Sequence, residues 1–320
     1  MHKISRIMCV IDPTSGDQPA MRRAAWLAKN VGAELELFVS CYHEYLNDGR
    51  FSDSPSLEMA RHEVIADLEK HLKKLAEPLR SSGLIVHTAA IWDQPLYEGI
   101  VRHAVAVGAD IVFKDTHHHS ALARALFTNT DWNLLRTCPV PLWLVKPHEI
   151  ADKPVFVAAI DPSNQHDKPA ALDDDIVALA KMLAEKSNGK VHAFHCFDPR
   201  IAVATATAYA YIPVSLPLDE IEEQMHEQHE KLFNKITKYH GLDDRHAHLV
   251  AGLAHEEIPL LAEKMNADVI VMGAVARTRW KRIFIGATAE RTLEHVPCDL
   301  LIVKPDWFQT PVEMSNDKAA

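Results

Sequence analysis

The feature that most limits the fold is an internal repeat, because the chain begins the same pattern twice. The segment Val10–Thr14 is matched by Ala159–Ser163, and the segment Val140–Pro147 is matched by Cys298–Pro305. The offset between matching residues is about 149 at the start and about 158 at the end. A solenoid unit repeats every 20–50 residues or so, whereas a domain has roughly 100–150 residues. The sequence therefore predicts two tandem domains built on one plan.

Within each copy, short apolar segments alternate with longer amphipathic ones. This alternation predicts βαβ crossovers and a parallel sheet, and an apolar strand such as Val269–Met272 indicates that helices cover both of its faces. We therefore predict an α/β fold of two tandem, doubly wound, five-stranded parallel-sheet domains. The predicted ranges are 1–147 for the first domain, 148–154 for the linker, 155–305 for the second domain and 306–320 for a polar tail.

Net charge and cysteine usage limit the ligand classes and the cellular compartment that we expect for the protein. A net charge of −10 without a basic patch argues against direct nucleic-acid binding. The five cysteines lie scattered in apolar segments without a Cys-x-x-Cys spacing, which is typical of thiols in a reducing cytosol. The apolar stretch Ile201–Leu218 is interrupted by two prolines, so we interpret it as a loop over a pocket and not as a membrane span. We expect a cytoplasmic protein.

The second copy carries residues typical of an anion site. Ligands of open parallel sheets bind at the carboxyl ends of the strands, where Gly273 lets the backbone turn close to a ligand. Gly286 then begins a helix, whose unpaired N–H groups favour a phosphate. Thr288 adds a hydroxyl donor and Arg277 adds positive charge. The pattern predicts a phosphate-bearing ligand at this edge of the sheet.

Together, these residues resemble a known family. An acid that ends the first strand, followed by Gly-x2-Gly-x9-Gly-Ser/Thr, marks the universal stress proteins, and Asp161, Gly273 and Gly286–Thr288 are similar to that pattern. The likeness covers about 300 of the 320 residues and includes the segments Phe127–Trp132 and Lys304–Glu313. The resemblance implies a five-stranded parallel α/β domain, repeated here. It also implies ATP or AMP as the ligand, with Mg²⁺ accompanying ATP.

The resemblance assigns roles to three residues of the second copy. It implies that Asp161 lies near the adenosine, that the backbone around Cys196 reads the adenine, and that Gly273 lies on the ribose and phosphate side.

Two further positions of the second copy depart from the family pattern. Ala276 replaces the second glycine, and this replacement would close the turn that phosphates need. Ala287 replaces the serine or threonine. Ala287 keeps its N–H, and Thr288 supplies a nearby hydroxyl in place of the missing one.

The first copy lacks the predicted phosphate cradle. The positions that correspond to Gly273, Ala276, Gly286 and Ala287 are Asp115, His118, Thr128 and Asn129. Asp12 is retained, but the Asp115 carboxylate would repel a phosphate. We do not expect the first domain to bind ATP in the family manner.

The same segment of the first copy raises a metal-binding hypothesis. Imidazoles beside a carboxylate are zinc ligands, so Asp115, His117 and His119 form a candidate zinc site. A solvated histidine loop is the alternative, since the chain has 20 histidines and some clustering follows by chance.

Three functions stay open. The leading hypothesis is a stress-response protein that binds ATP or AMP in its second domain and contributes to survival, including survival of DNA damage. The second is a weak ATP hydrolase, although no dedicated general base is apparent. The third is a sensor of a metal or a small apolar ligand that uses the His117–His119 cluster and the Ile201–Leu218 loop.

The resemblance also implies how the copies associate. Single-domain members of the family pair through their last strands, so Val140–Val145 and Cys298–Val303 are expected to form an internal pseudo-dimer. A further homodimer is compatible with the same sequence.

Overall fold

The computed structural model describes residues 3–46, 55–118, 125–126, 128–163, 170–199, 218–274 and 295–314. The chain divides into two compact units. Unit 1 is Met1–Ile150 with Asp299–Ala320, and unit 2 is Ala151–Cys298. Helices and strands alternate in each unit, so the predicted α/β class is confirmed.

The strands are β1 (Arg6–Val10), β2 (Glu34–Cys41), β3 (Val86–Trp92), β4 (Ile111–Asp115), β5 (His117–His118), β6 (Ala125–Leu126), β7 (Leu142–Val145), β8 (Val155–Ala159), β9 (Lys190–Phe197), β10 (Ala247–Ala251), β11 (Val269–Gly273) and β12 (Asp299–Val303). The helices are α1 (Pro19–Val31), α2 (Pro55–Ser81), α3 (Leu96–Ala106), α4 (Asn129–Thr137), α5 (Ala170–Lys186), α6 (Leu218–Tyr239) and α7 (Ala254–Met265). Short 3-10 helices span Glu44–Leu46 and Asp244–His246.

Unit 1 contains a parallel sheet with the strand order β3-β2-β1-β4-β7. The strand order reverses at β1, which pairs with β2 on one side and with β4 on the other. The central strands are almost wholly buried, as expected for a sheet covered on both faces.

The last strand of the chain also belongs to unit 1. The pairing of β12 with β7 is antiparallel, and Leu301 lies opposite Trp143. The internal pseudo-dimer itself stays a prediction. All five residues of β12 are buried, and its backbone pairs with the β7 edge of the sheet.

Unit 2 contains a parallel sheet with the order β10-β9-β8-β11. The two units repeat one detail at the carboxyl end of their first strands. In unit 1, Ile11 N donates to Phe38 O at 2.8 Å, and in unit 2, Ile160 N donates to Phe194 O at 2.9 Å. These bonds align β2 with β9 residue by residue. Within the described residues, no helix is both long enough and apolar enough to cross a membrane.

Candidate functional site

In unit 2, Asp161 lies just beyond the carboxyl end of β8. Its backbone N–H donates to Asp173 Oδ1 at 3.1 Å, and its Oδ1 accepts from Ser163 Oγ at 2.6 Å. The hydroxyl contact forms a local turn of the kind that Asp-Pro-Ser favours. The carboxylate is only partly exposed and is held at the sheet edge where ligands of this fold class bind.

Cys196, on the neighbouring strand β9, lies in an apolar and acidic setting. Burial raises the pKa of its thiol to about 12, and the negative charges of Asp161, Glu257 and Asp198 add to this effect. The thiol therefore stays protonated at neutral pH and is no nucleophile. The nearby carboxylates make this edge of unit 2 rich in hydrogen-bond acceptors.

Gly273 ends β11 in close contact with helix α5. A Cβ at this position would lie 2.8 Å from Leu172 Cδ2 and 3.3 Å from Ile176 Cδ1. The sequence predicted a glycine that turns the backbone toward a ligand. The structure adds a packing reason, since the missing side chain lets α5 approach the strand.

Sequence reasoning missed a pair of buried histidines at the same edge. His195 on β9 and His229 on α6 are 2% and 4% exposed, and His195 Nε2 lies 2.7 Å from His229 Nδ1. The His229 ring stacks on Phe197, with ring centroids 4.8 Å apart and an interplanar angle of 15°. The sequence signal was the occurrence of two histidines, His192 and His195, in the otherwise apolar centre of β9.

The phosphate half of the predicted site falls outside the described residues. The residues concerned are Ala276, Arg277, Gly286, Ala287 and Thr288. The same holds for almost all of the Ile201–Leu218 loop, of which only the start of α6 is described. The roles assigned to these residues stay predictions.

In unit 1, Asp115 takes the position of Gly273 and caps a helix. Its Oδ1 accepts from the backbone N–H of Ala20, in the first turn of α1, at 2.7 Å. Burial raises the pKa of Asp115 to about 6, against the opposing effects of the Ala20 bond and the Lys114 charge. A carboxylate therefore occupies the place from which unit 2 presents bare backbone.

The helix that follows this segment in unit 1 is capped by its own residues. Thr128 Oγ1 accepts from Asp131 N at 3.2 Å, and Asp131 Oδ2 accepts from Thr128 N at 2.7 Å. This capping box is reinforced by Lys114 Nζ, which lies 2.7 Å from Asp131 Oδ1. The N-terminus of α4 thus has side-chain partners where a phosphate would otherwise bind.

The described residues give the zinc hypothesis no support. In the described residues, no group of three or more His, Cys, Asp and Glu side chains is placed to hold a metal ion. His117 is described only as the strand partner of Leu126, and His119 lies outside the described residues. The Asp115, His117 and His119 set stays a prediction.

These observations define a class of protein with two parallel-sheet α/β units, one of which carries an acceptor-rich candidate site at the carboxyl edge of its sheet. Comparison with known proteins agrees. The model of the universal stress protein family matches residues 3–146 and again residues 157–304. The chain therefore belongs to the universal stress protein family and is of its tandem type, as expected from the repeat. Family membership supports a role in the stress response.

Several relatives share the full length of the chain. Universal stress protein E of Escherichia coli K12 is 30% identical over 326 aligned positions, which cover 99% of each chain. The homologue of Photorhabdus laumondii is 28% identical, with 99% of this chain and 100% of the relative covered. A solved structure of a universal stress protein from Archaeoglobus fulgidus superposes with a TM-score of 0.62 at 17% identity, covering 95% of this chain and 99% of the other. That last likeness shows the fold alone.

Proposed function

We propose that unit 2 binds an adenine nucleotide, ATP or AMP, and that the protein acts in the stress response through this binding. One observation carries the proposal. At the same position of the two sheets, unit 1 has the Asp115 carboxylate bonded to α1, whereas unit 2 has Gly273, which offers backbone alone. We infer that the Gly273 backbone tolerates a nearby phosphate and that the Asp115 carboxylate does not.

The acceptors at the unit 2 edge suit the nucleoside half of such a ligand. Asp161, Asp198 and Glu257 all act on the Cys196 thiol, so their carboxylates lie around the end of β9. Ribose hydroxyls and the adenine amino group are hydrogen-bond donors, and carboxylates are acceptors for them. The family resemblance, which implies adenosine near Asp161 and the backbone around Cys196, supports the same proposal.

The experiment compares the wild type with one disruptive variant in each unit. Gly286→Asp places a carboxylate at the predicted phosphate position of unit 2, and Thr128→Asp makes the corresponding change in unit 1. Thr128→Asp replaces the hydroxyl that donates to Asp131 Oδ2 at 2.8 Å by a carboxylate, so thermal melting without ligand must first show that this variant folds. Untagged protein is denatured to release small molecules for mass spectrometry, and AMP and ATP are then titrated by calorimetry and thermal shift.

The proposal expects AMP or ATP to stabilise the wild type through mass action. It expects Gly286→Asp to lose this stabilisation and Thr128→Asp to keep it. Loss of binding in Thr128→Asp alone would indicate that the site lies in unit 1 and would contradict the proposal. A wild type that binds neither nucleotide would also refute it.

Hydrolysis is measured in the same samples. We propose a binding protein and not an efficient hydrolase, and therefore expect phosphate release from ATP at the background rate. Release well above background that disappears in Gly286→Asp would favour an ATP hydrolase instead. Resistance to DNA-damaging agents, compared between cells that carry the wild type and the Gly286→Asp variant, tests whether binding matters for survival.

A further inference from the structure

The buried histidine pair of unit 2 has a defined arrangement of protons. His195 Nδ1 lies 3.1 Å from the Ile160 carbonyl oxygen. Because a carbonyl oxygen only accepts, this nitrogen carries the proton, and His195 Nε2 is then an acceptor when the ring is neutral. His229 Nδ1, at 2.7 Å from it, must be the donor. His229 Nε2 therefore carries no proton and is itself an acceptor.

The fold does not require this pair. The bonds from Ile11 to Phe38 and from Ile160 to Phe194 align the two units, so His195 corresponds to Val39. Val39 is 1% exposed and packs as an ordinary core residue. Unit 1 therefore builds the same strand with an apolar side chain. Burying two imidazoles instead costs free energy unless their nitrogens find partners, which favours a use for the pair beyond packing.

The unprotonated nitrogen faces away from its partner. His229 Nδ1 bonds to His195, so Nε2 is on the opposite edge of the ring, and it has no hydrogen-bond partner in the described part of the chain. The His229 ring stacks on Phe197, the last residue of β9. Asp161 is also near enough for its charge to act on this imidazole. A side chain that is 4% exposed thus presents a lone acceptor at the carboxyl edge of β8 and β9.

We propose that His229, positioned by His195, is a specificity-determining residue that accepts a hydrogen bond from the exocyclic amino group of a 6-aminopurine nucleotide. This inference rests on the proposed nucleotide site in unit 2. A 6-oxopurine such as hypoxanthine has an acceptor oxygen in place of the amino group. It would leave His229 Nε2 opposite another lone pair, so the site discriminates against it.

The charge state of His229 agrees with this role. Burial lowers the pKa of His229 below its ordinary value of 6.5, against the raising effect of Asp161, and the neighbouring His226 lowers it further. The imidazole is therefore neutral at neutral pH and keeps Nε2 as an acceptor.

The test uses AMP and IMP, which differ at the amino group, and measures both affinities by calorimetry. His229→Phe retains a ring to stack on Phe197 but removes the nitrogen that lies 2.7 Å from His195 Nε2. The double variant His195→Val/His229→Phe avoids this loss, since valine is the residue that unit 1 uses. His62→Gln is the control, because His62 is an exposed histidine on α2 of unit 1. Thermal melting of each variant without ligand reports whether it folds.

The inference expects the wild type and His62→Gln to prefer AMP to IMP. In the double variant it expects AMP affinity to fall about 3- to 10-fold, the value of one neutral hydrogen bond, with IMP affinity unchanged. His195→Val alone should lower the AMP preference, because His229 then loses the partner that orients its nitrogens. A double variant that melts as a folded protein and keeps the wild-type AMP to IMP ratio would overturn this inference alone, as would an equal loss for the two nucleotides. A wild type that binds neither AMP nor ATP would overturn the proposed function as well.

Discussion

Replacing Asp299 by asparagine is expected to lower the free energy of unfolding of unit 1 by about 3–5 kcal/mol, the usual cost of breaking a buried ion pair. Asp299 is 0% exposed and pairs with Arg23, which is 4% exposed. The variant has nearly the same shape but no negative charge. Arg23 would therefore stay buried in α1 without a counterion.

Three more donors converge on the same carboxylate. Trp143 Nε1 lies 2.8 Å from Asp299 Oδ2, Lys146 N lies 2.9 Å from Oδ1, and His148 Nε2 lies 3.0 Å from Oδ1. Burial lowers the pKa of His148, but the contact with Asp299, the Asp299 charge and the Glu149 carbonyl together raise it above its ordinary value. An asparagine amide has one acceptor oxygen and directs two N–H donors at these groups. Each unsatisfied group costs about 1–3 kcal/mol, but neighbouring costs do not add, so the total stays near the range above.

The assay is hydrogen exchange along a urea series, read in peptides of β7 and β12, because a chain with two units need not unfold in one step. Glu69→Gln is the control. It removes an exposed pair on α2, where Lys73 Nζ lies 3.6 Å from Glu69 Oε2, and should cost no more than about 0.5 kcal/mol. Adding Arg23→Met to Asp299→Asn should recover part of the loss, since the unpaired Arg23 charge is then removed. A loss below about 1 kcal/mol in Asp299→Asn would refute the reasoning.

Three further predictions concern single positions. Burial raises the pKa of Asp115 from 3.8 to about 6, so the wild type loses stability as pH rises through that interval. The free energy of unfolding of Asp115→Asn, relative to the wild type, should therefore increase by up to about 3 kcal/mol between pH 3.5 and pH 7.5, measured by urea unfolding. An equal difference between the two proteins at both pH values would contradict this. Burial and then His246 lower the pKa of His192 from 6.5 to about 4. The unfolded state therefore binds more protons in that interval, and His192→Phe should show a smaller loss of stability than the wild type on acidification from pH 7 to pH 4.5; parallel melting curves would count against it. Gly273→Val should lower the free energy of unfolding by about 1–3 kcal/mol by crowding Leu172, and an unchanged urea midpoint would show that α5 moves aside at no cost.

The alternation of apolar strands and amphipathic helices was readable from the sequence because it depends on local periodicity. Segments such as Val269–Met272 are apolar throughout, and this pattern predicts a strand covered on both faces whatever else the chain does. The recurrence of Asp-Pro after two matching strands placed Asp161 at a carboxyl edge, where the structure has it. The fold class, the repeat and the family were therefore predictable.

The contacts of the site residues could not be predicted from the sequence as well as the fold could. The sequence placed Asp115 opposite Gly273 and predicted repulsion of a phosphate, but it gave no indication that the carboxylate caps α1 at Ala20, 95 residues earlier in the chain. Similarly, His195 and His229 are 34 residues apart, and only the packing of α6 on β9 brings their rings together.

The sequence by itself determined that this protein consists of two related α/β domains of the universal stress protein family, because a repeated pattern of strands, helices and turn residues is a local property of the chain. Only the tertiary structure decided that Asp299 is neutralised by Arg23, 276 residues away. It also decided that His229 keeps one nitrogen as an acceptor, since hydrogen-bond partners and burial depend on groups that distant parts of the chain supply.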